Sequence, residues 1–123
     1  MKTLNNLNAH IKSLRGDTLR KLPTETQRES GQDGDPQLCK DILINLIGST
    51  PGRTGTENMR LYALGVKLVS DESDSLEIDD EDFKAVKHCL AENKVVVDTG
   101  TGQYGSMILG QIITLLNKEL VSE

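Results

Sequence analysis

Three stretches of this 123-residue chain carry side chains whose types and spacing could do chemistry. Asp98 sits in Val96-Val97-Asp98-Thr99-Gly100-Thr101, behind an apolar run and ahead of a glycine. A carboxylate there is a candidate centre for acid–base chemistry on a water. Overlapping it, Gly100, Gly102 and Gly105 follow the apolar run and precede a helical pattern. Glycines so spaced allow a tight turn and close approach of a phosphate to backbone N–H groups. Upstream, Asp71, Ser73, Ser75, Glu77, Asp79 and Asp82 punctuate one acidic segment. Oxygen ligands alternating in this way let one short loop wrap a calcium ion.

Each stretch also has a plainer reading. The Asp98 segment looks like the active-site stretch of retropepsin-type aspartic proteases, a resemblance that implies a homodimer of one-domain chains in which two such aspartates share one proton and activate a water. The resemblance covers about six residues, and in that family the motif lies near the start of a mostly β chain. Asp98 lies near the end of a chain that reads as helical, so a turn-capping role is the simpler one. After Gly105 only 18 residues remain, too few for the next strand of a dinucleotide fold and its ribose-binding acid. We therefore expect a glycine-rich joint and no cofactor. Asp71–Asp82 resembles an EF-hand loop, with Ile78 at its apolar position and Phe83 opening the exiting helix. Leu76 stands where that loop takes glycine, and Asp82 is one methylene shorter than the closing glutamate. An acidic corner between two helices, with no metal, is the economical reading. His10 and His88 are isolated, and no Ser/His/Asp or Cys/His constellation can be drawn from them. The chain is expected not to be an enzyme.

Charge then supplies the candidate site. The formal net charge is −5, unevenly spread. Residues 1–30 carry six basic side chains against three acidic ones, whereas residues 70–92 carry nine acidic side chains against two lysines. Such polarity suits electrostatic steering toward a protein partner, or of a basic arm onto an acidic patch in the same or a second copy. The candidate partner-binding residues are Asp71, Glu72, Asp74, Glu77, Asp80 and Glu81 on the acidic side. On the basic side they are Lys12, Arg15, Arg20 and Lys21. Both regions also suit plain solvation, the commoner fate of a charge run. A nucleic-acid binder would need a basic stripe over its folded part, so no direct nucleic-acid contact is expected.

The elements that must position these residues follow from periodicity and caps. The fold is expected to be mainly α, a small bundle of about four helices with a short N-terminal hairpin or helical arm. Residues 1–22 are read as the arm, 23–35 as a flexible linker without large apolar residues, and 36–123 as the helical domain. In the arm, Leu4, Leu7, Ile11 and Leu14 have helical spacing, yet Arg15-Gly16-Asp17 could join two short strands. A first helix is predicted from Asp35-Pro36 to Ile47, stopped by Gly48 and central because Leu38, Cys39, Ile42, Leu43, Leu46, Ile44 and Ile47 cover so much of it. A second is predicted from Thr54, with Glu57 at capping-box spacing, to about Val69. Its core face is predicted as Met59, Tyr62, Ala63, Val66 and Val69, with Leu61, Leu64 and Leu68 alongside. Asp79 should cap a third helix that ends at Asn93, with Ile78 stapled on Phe83. A last helix should cover about 106–118, and Val95-Val96-Val97 forms a short strand or a buried extended connection.

Composition sets the outer limits. Aromatic residues are 2% of the chain and Trp is absent, so the core must rest on Leu, Ile and Val. Apolar stretches are far shorter than a bilayer span, and no membrane association is expected. The first residues, MKTLNNLNAHIK, lack an apolar run, so no secretory signal is expected. Cys39 and Cys89 have no CxxC or metal-ligand spacing and read as reduced, packed thiols.

One resemblance spans most of the chain. The succession Lys12-Ser-Leu-Arg-Gly-Asp-Thr-Leu, Leu38-Cys-Lys-Asp-Ile-Leu-Ile-Asn-Leu-Ile and Arg60-Leu-Tyr-Ala-Leu-Gly-Val-Lys-Leu leads on to two more segments. These are Leu76-Glu-Ile-Asp-Asp-Glu-Asp-Phe-Lys-Ala-Val-Lys and Tyr104-Gly-Ser-Met-Ile-Leu-Gly-Gln-Ile-Ile. The whole, over residues 36–119, resembles a group of small proteins encoded by tailed bacteriophages and prophages. The group implies a hairpin-like start, a variable linker and about four helices, without any catalytic residue to carry over. It further implies a non-enzymatic role in the host cytoplasm or the virion. The partner would be a phage structural protein or a host protein, and a homo-oligomer is possible. The chain departs from that group in its asparagine-rich start and its Gly100–Gly105 joint.

Overall fold

The computed structural model describes residues 1–21, 23–97 and 100–121. Ten short elements follow one another: β1 (Lys2–Leu4), α1 (Glu25–Glu29), α2 (Cys39–Ser49), α3 (Gly55–Ser70), β2 (Leu76–Ile78), α4 (Asp80–Glu92), β3 (Val95–Val97), β4 (Gly100–Gly102), α5 (Ser106–Leu116) and a closing 3₁₀ turn (Lys118–Val121). The fold is mainly α, with four principal helices and two small antiparallel pairs, β1 with β2 and β3 with β4. No helix among the described residues is long and apolar enough to cross a membrane.

Helix α2 is the centre, as its apolar breadth required. Cys39, Ile42, Leu43 and Leu46 have no exposed surface, and the helix touches α3, α4, α5 and β3. It begins later than predicted. Pro36 pairs with Arg20 and Leu38 with His10 as extended backbone, so 36–38 belong to a strand-like pairing and cannot start a helix. Cap duty passes to Asp41, whose carboxylate accepts the Leu38 N–H at 3.0 Å.

The N-terminal residues take the hairpin alternative. Gly16 turns with φ +92°, and Ser13 and Asp17, then Ile11 and Leu19, pair across the turn. This segment is no separate arm. Leu4 and Ile11 are fully buried and Leu7 is 3% exposed, all in the same core as α2. Pairing of Lys2, Thr3 and Leu4 with Ile78, Glu77 and Leu76 completes the seal. The asparagines that weaken a helix here do other work. Asn5 and Asn6 donate side-chain amides to the Leu116 and Leu115 carbonyls at 3.2 and 2.8 Å. Those are orphan acceptors at the C-terminus of α5, which need partners from outside the helix. Within 23–35 the chain makes a turn and a half of helix, with Thr24 and Gln27 as a capping box. Both ends of that excursion are pinned together by the Lys21 N–H donating to the Asp35 carbonyl at 2.8 Å.

A proteolytic nick inside 23–35 should therefore leave two fragments that stay together on gel filtration. Leu4→Ala should lower unfolding stability in urea by about 2–5 kcal/mol, the range for emptying a buried leucine site. Fragments that separate, or a loss under about 0.5 kcal/mol, the scale of surface changes, would return residues 1–21 to the status of an arm.

Candidate functional site

The acidic corner is built on the end of α3, on β2 and on the start of α4. Asp79 caps α4 as predicted, accepting the Asp82 N–H at 2.8 Å, and Ile78 and Phe83 on either side are buried together. Beta-strand alternation then sorts the segment: Leu76 and Ile78 point into the core, and Glu77 points out beside Thr3. Among the described residues no three His, Cys, Asp or Glu side chains are grouped to hold a metal.

Several of the carboxylates are already engaged. Arg60 reaches from α3 to Asp79 and Asp82 at 3.3 and 3.2 Å. Hydrogen bonds donated to Asp82 and Asp79 hold the Arg60 guanidinium above its usual range. The Asp82 backbone N–H, with Arg60 assisting, holds the Asp79 carboxyl below the usual 3.8. Asp71 is held low in the same way by the Ser73 N–H. Asp74 accepts the Asn8 N–H at 3.0 Å, and Asn8 donates its side-chain amide to the Glu72 carbonyl. Asp80 lies 3.9 Å from the N-terminal ammonium, and Glu81 lies 3.5 Å from Lys84.

The basic candidates go elsewhere. Lys21 pairs with Asp41 of α2 at 3.1 Å, and Arg20 donates to the Gly34 carbonyl at 3.2 Å. Lys12 is tied through its backbone to Gln111 of α5, whose side chain both donates to and accepts from it. Arg15 is exposed at the hairpin turn. Among the described residues no ion pair joins these four to residues 71–82. The N-terminal segment does meet the acidic corner, but through β1 and Asn8 rather than through its cations.

Asp98 and Thr99 lie outside the described residues. The glycines of the joint serve a hairpin, with Val95, Val96 and Val97 opposite Gly102, Thr101 and Gly100. Tyr104 closes it: Asn93, in left-handed conformation at the end of α4, exchanges two hydrogen bonds with the Tyr104 backbone, and Asn45 donates to its hydroxyl at 2.8 Å. His88 is hydrogen-bonded to the Pro51 carbonyl, whereas Cys89 beside it turns into the core. Burial pushes the Cys89 thiol up to about 11, and burial with the nearby Asp74 charge pushes Cys39 to about 12. Both are inert, packed thiols.

The feature that periodicity misassigned is α3. Leu61, Leu64 and Leu68 face the core, and the predicted core face points to solvent: Met59 is 75% exposed, Tyr62 76%, Val66 50% and Val69 66%. Leucines win because their row meets α2 and α4, and Arg60 must stay on the α4 side to reach Asp79. The displaced face borders an open groove of about 740 Å³ between α2 and α3, lined among others by Ile44, Ile47, Pro51, Tyr62, Val66 and Val69. One signal in the sequence pointed here: α3 is apolar on two sides, and a helix apolar all round is normally buried all round. Comparison with protein-family models, with curated proteins and with solved structures finds no match to this chain.

Asp79→Asn should keep the cap and lose the ion pair with Arg60, and Asp79→Ala should lose both. Because the folded carboxyl is held below 3.8, its contribution is present above that pH and is lost as pH falls through the folded value. Thermal melts should thus rank wild type above Asn and Asn above Ala at neutral pH. The gap between wild type and Asn should close below pH 3.8. A gap unchanged by acid would show that the carboxylate charge is irrelevant there.

Proposed function

We propose that this chain acts without catalysis, by binding another protein chain through the outer face of α3 and the groove beside α2. The observation that carries the reading is the exposed row Met59, Tyr62, Val66 and Val69 on one helix. Contiguous apolar surface of this kind is costly to leave wet and marks interaction sites. Tyrosine is enriched at interface centres, where a large ring is buried and its hydroxyl finds a partner. The neighbouring acidic residues Asp71, Glu72, Asp74 and Glu77 follow α3 directly, and their role in this reading is to steer a basic surface patch of the partner toward the face. The phage resemblance sets the context: the partner is a phage structural protein, a host protein or a second copy of the chain, met in the host cytoplasm or in the virion.

A photo-crosslinking residue at position 62, expressed during infection, should capture one or a few defined proteins. The same residue at exposed Thr114 of α5 should not. Mass spectrometry then separates capsid or tail proteins from a host factor and from a second copy of the chain. Equal, diffuse labelling from positions 62 and 114 would remove the reading. Charge-neutralising Glu72, Asp74 and Glu77 should slow capture and flatten its salt dependence while leaving the helical content intact.

A further inference from the structure

We infer that the occupant of the α3 face is a second copy of this chain, with the two α3 helices packed antiparallel about a two-fold axis. The inference rests on the reading of this face as a protein-binding surface and names its partner. Met59, Tyr62, Val66 and Val69 are spaced 3, 4 and 3 residues apart, the a/d rhythm of a helix–helix seam. The positions flanking that seam are Thr56, Asn58, Ala63, Gly65 and Ser70. None of them is charged, in a chain where 27% of residues are. A partner chosen by opposite charge would be met by lysine or glutamate at those flanks, as in coiled coils. Here a copy of the same chain meets no like-charge repulsion along the seam despite a net charge of −5.

Side-chain size fixes the direction. The two large residues, Met59 and Tyr62, occupy the N-terminal half of the seam, and the two small ones, Val66 and Val69, the C-terminal half. Antiparallel pairing sets Tyr62 against Val66 of the other copy and Met59 against Val69, so large meets small at every level. Parallel pairing would stack large on large and leave gaps between the valines. Small Ala63 beside the seam lets the backbones approach, and the antiparallel helix dipoles also attract. The seam is about 15 Å long. A stable dimer needs about 800 Å² per partner, so the contact must continue over the groove onto Ile44 and Pro51. The result is a weak dimer, with dissociation on the order of micromolar.

Sedimentation equilibrium on the full chain tests this. Wild type should shift from monomer to dimer with concentration, and Val66→Glu and Val69→Glu should each weaken the dimer roughly 30-fold or more. Both side chains are half exposed or more, so circular dichroism should confirm that these variants stay folded. For direction, Tyr62→Cys and Val66→Cys chains are mixed and treated with a short bismaleimide. The 62–66 product should exceed both same-site products, and buried Cys39 and Cys89 do not compete. A dimer untouched by either glutamate variant, or dominant 62–62 and 66–66 products, overturns the inference. A wild-type monomer at all concentrations overturns it too. If position 62 still captures a different protein in infected cells, the binding face stands with another partner. If it captures nothing specific, both readings fall.

Discussion

Three backbone hydrogen bonds, each 2.8 Å long, form a closed ring on which the rest of the structure depends. The Ile11 N–H donates to the Gln37 carbonyl, the Gln37 N–H to the Leu19 carbonyl, and the Leu19 N–H to the Ile11 carbonyl. Ile11 is fully buried, so an unpaired amide there would be expensive, and the ring removes that cost for three segments at once. It joins the two limbs of the N-terminal hairpin to the strand-like lead into α2. From this one constraint follow the late start of α2, the burial of Leu4 and Leu7, and the pinning of 23–35 at both ends. A chain with three aromatic residues has few large side chains to anchor a core. Backbone closure and asparagine caps supply the rigidity that aromatic packing gives elsewhere.

What was legible in the sequence was local. Asp79, Thr54 and Asn93 mark helix ends through short-range hydrogen bonds that depend on neighbours within a few residues, and the structure has all three in those roles. The breadth of the apolar face of α2 also translated directly into a central position. The N-terminal segment was harder, because its partners lie from about 20 to more than 100 residues away. Asn5 and Asn6 look like helix breakers in isolation. They make sense only once the end of α5, with its unpaired carbonyls, arrives beside them. The acidic segment was legible as a capped corner, whereas the fate of the basic residues was not. Lys21 finds Asp41 because the hairpin lies along α2, a long-range fact no spacing rule contains.

The misassigned face of α3 has the same origin. Two apolar rows on one helix both satisfy a 3.6-residue period, and periodicity cannot rank them. Packing ranks them through the neighbours. The row of Leu61, Leu64 and Leu68 presents γ-branched side chains to α2 and α4, and Arg60 next to it reaches the acidic cap of α4. Rotating the helix to bury Tyr62 and Met59 would carry Arg60 away from Asp79 and Asp82 and leave those carboxylates without their cation. Burial of the leucine row thus decides which apolar row is left outside, and the Arg60 contact at one end agrees with it.

The placement of the aromatic residues carries the functional argument one step further. Phe83 is buried 5% exposed under Lys2, whose ammonium sits 5.7 Å from the ring centre. Tyr104 has its backbone locked by Asn93 and its hydroxyl by Asn45. Tyr62 is the third, and it is left 76% exposed. A ring of that size can bury on the order of 150 Å² or more. Folding alone does not collect it. Association would: a partner covering Tyr62 would recover hydrophobic free energy at little entropic cost, because a tyrosine side chain has few torsions to freeze. The interior is stabilised by aliphatic packing and backbone closure, and the one aromatic side chain not needed for that stands where a second chain can meet it.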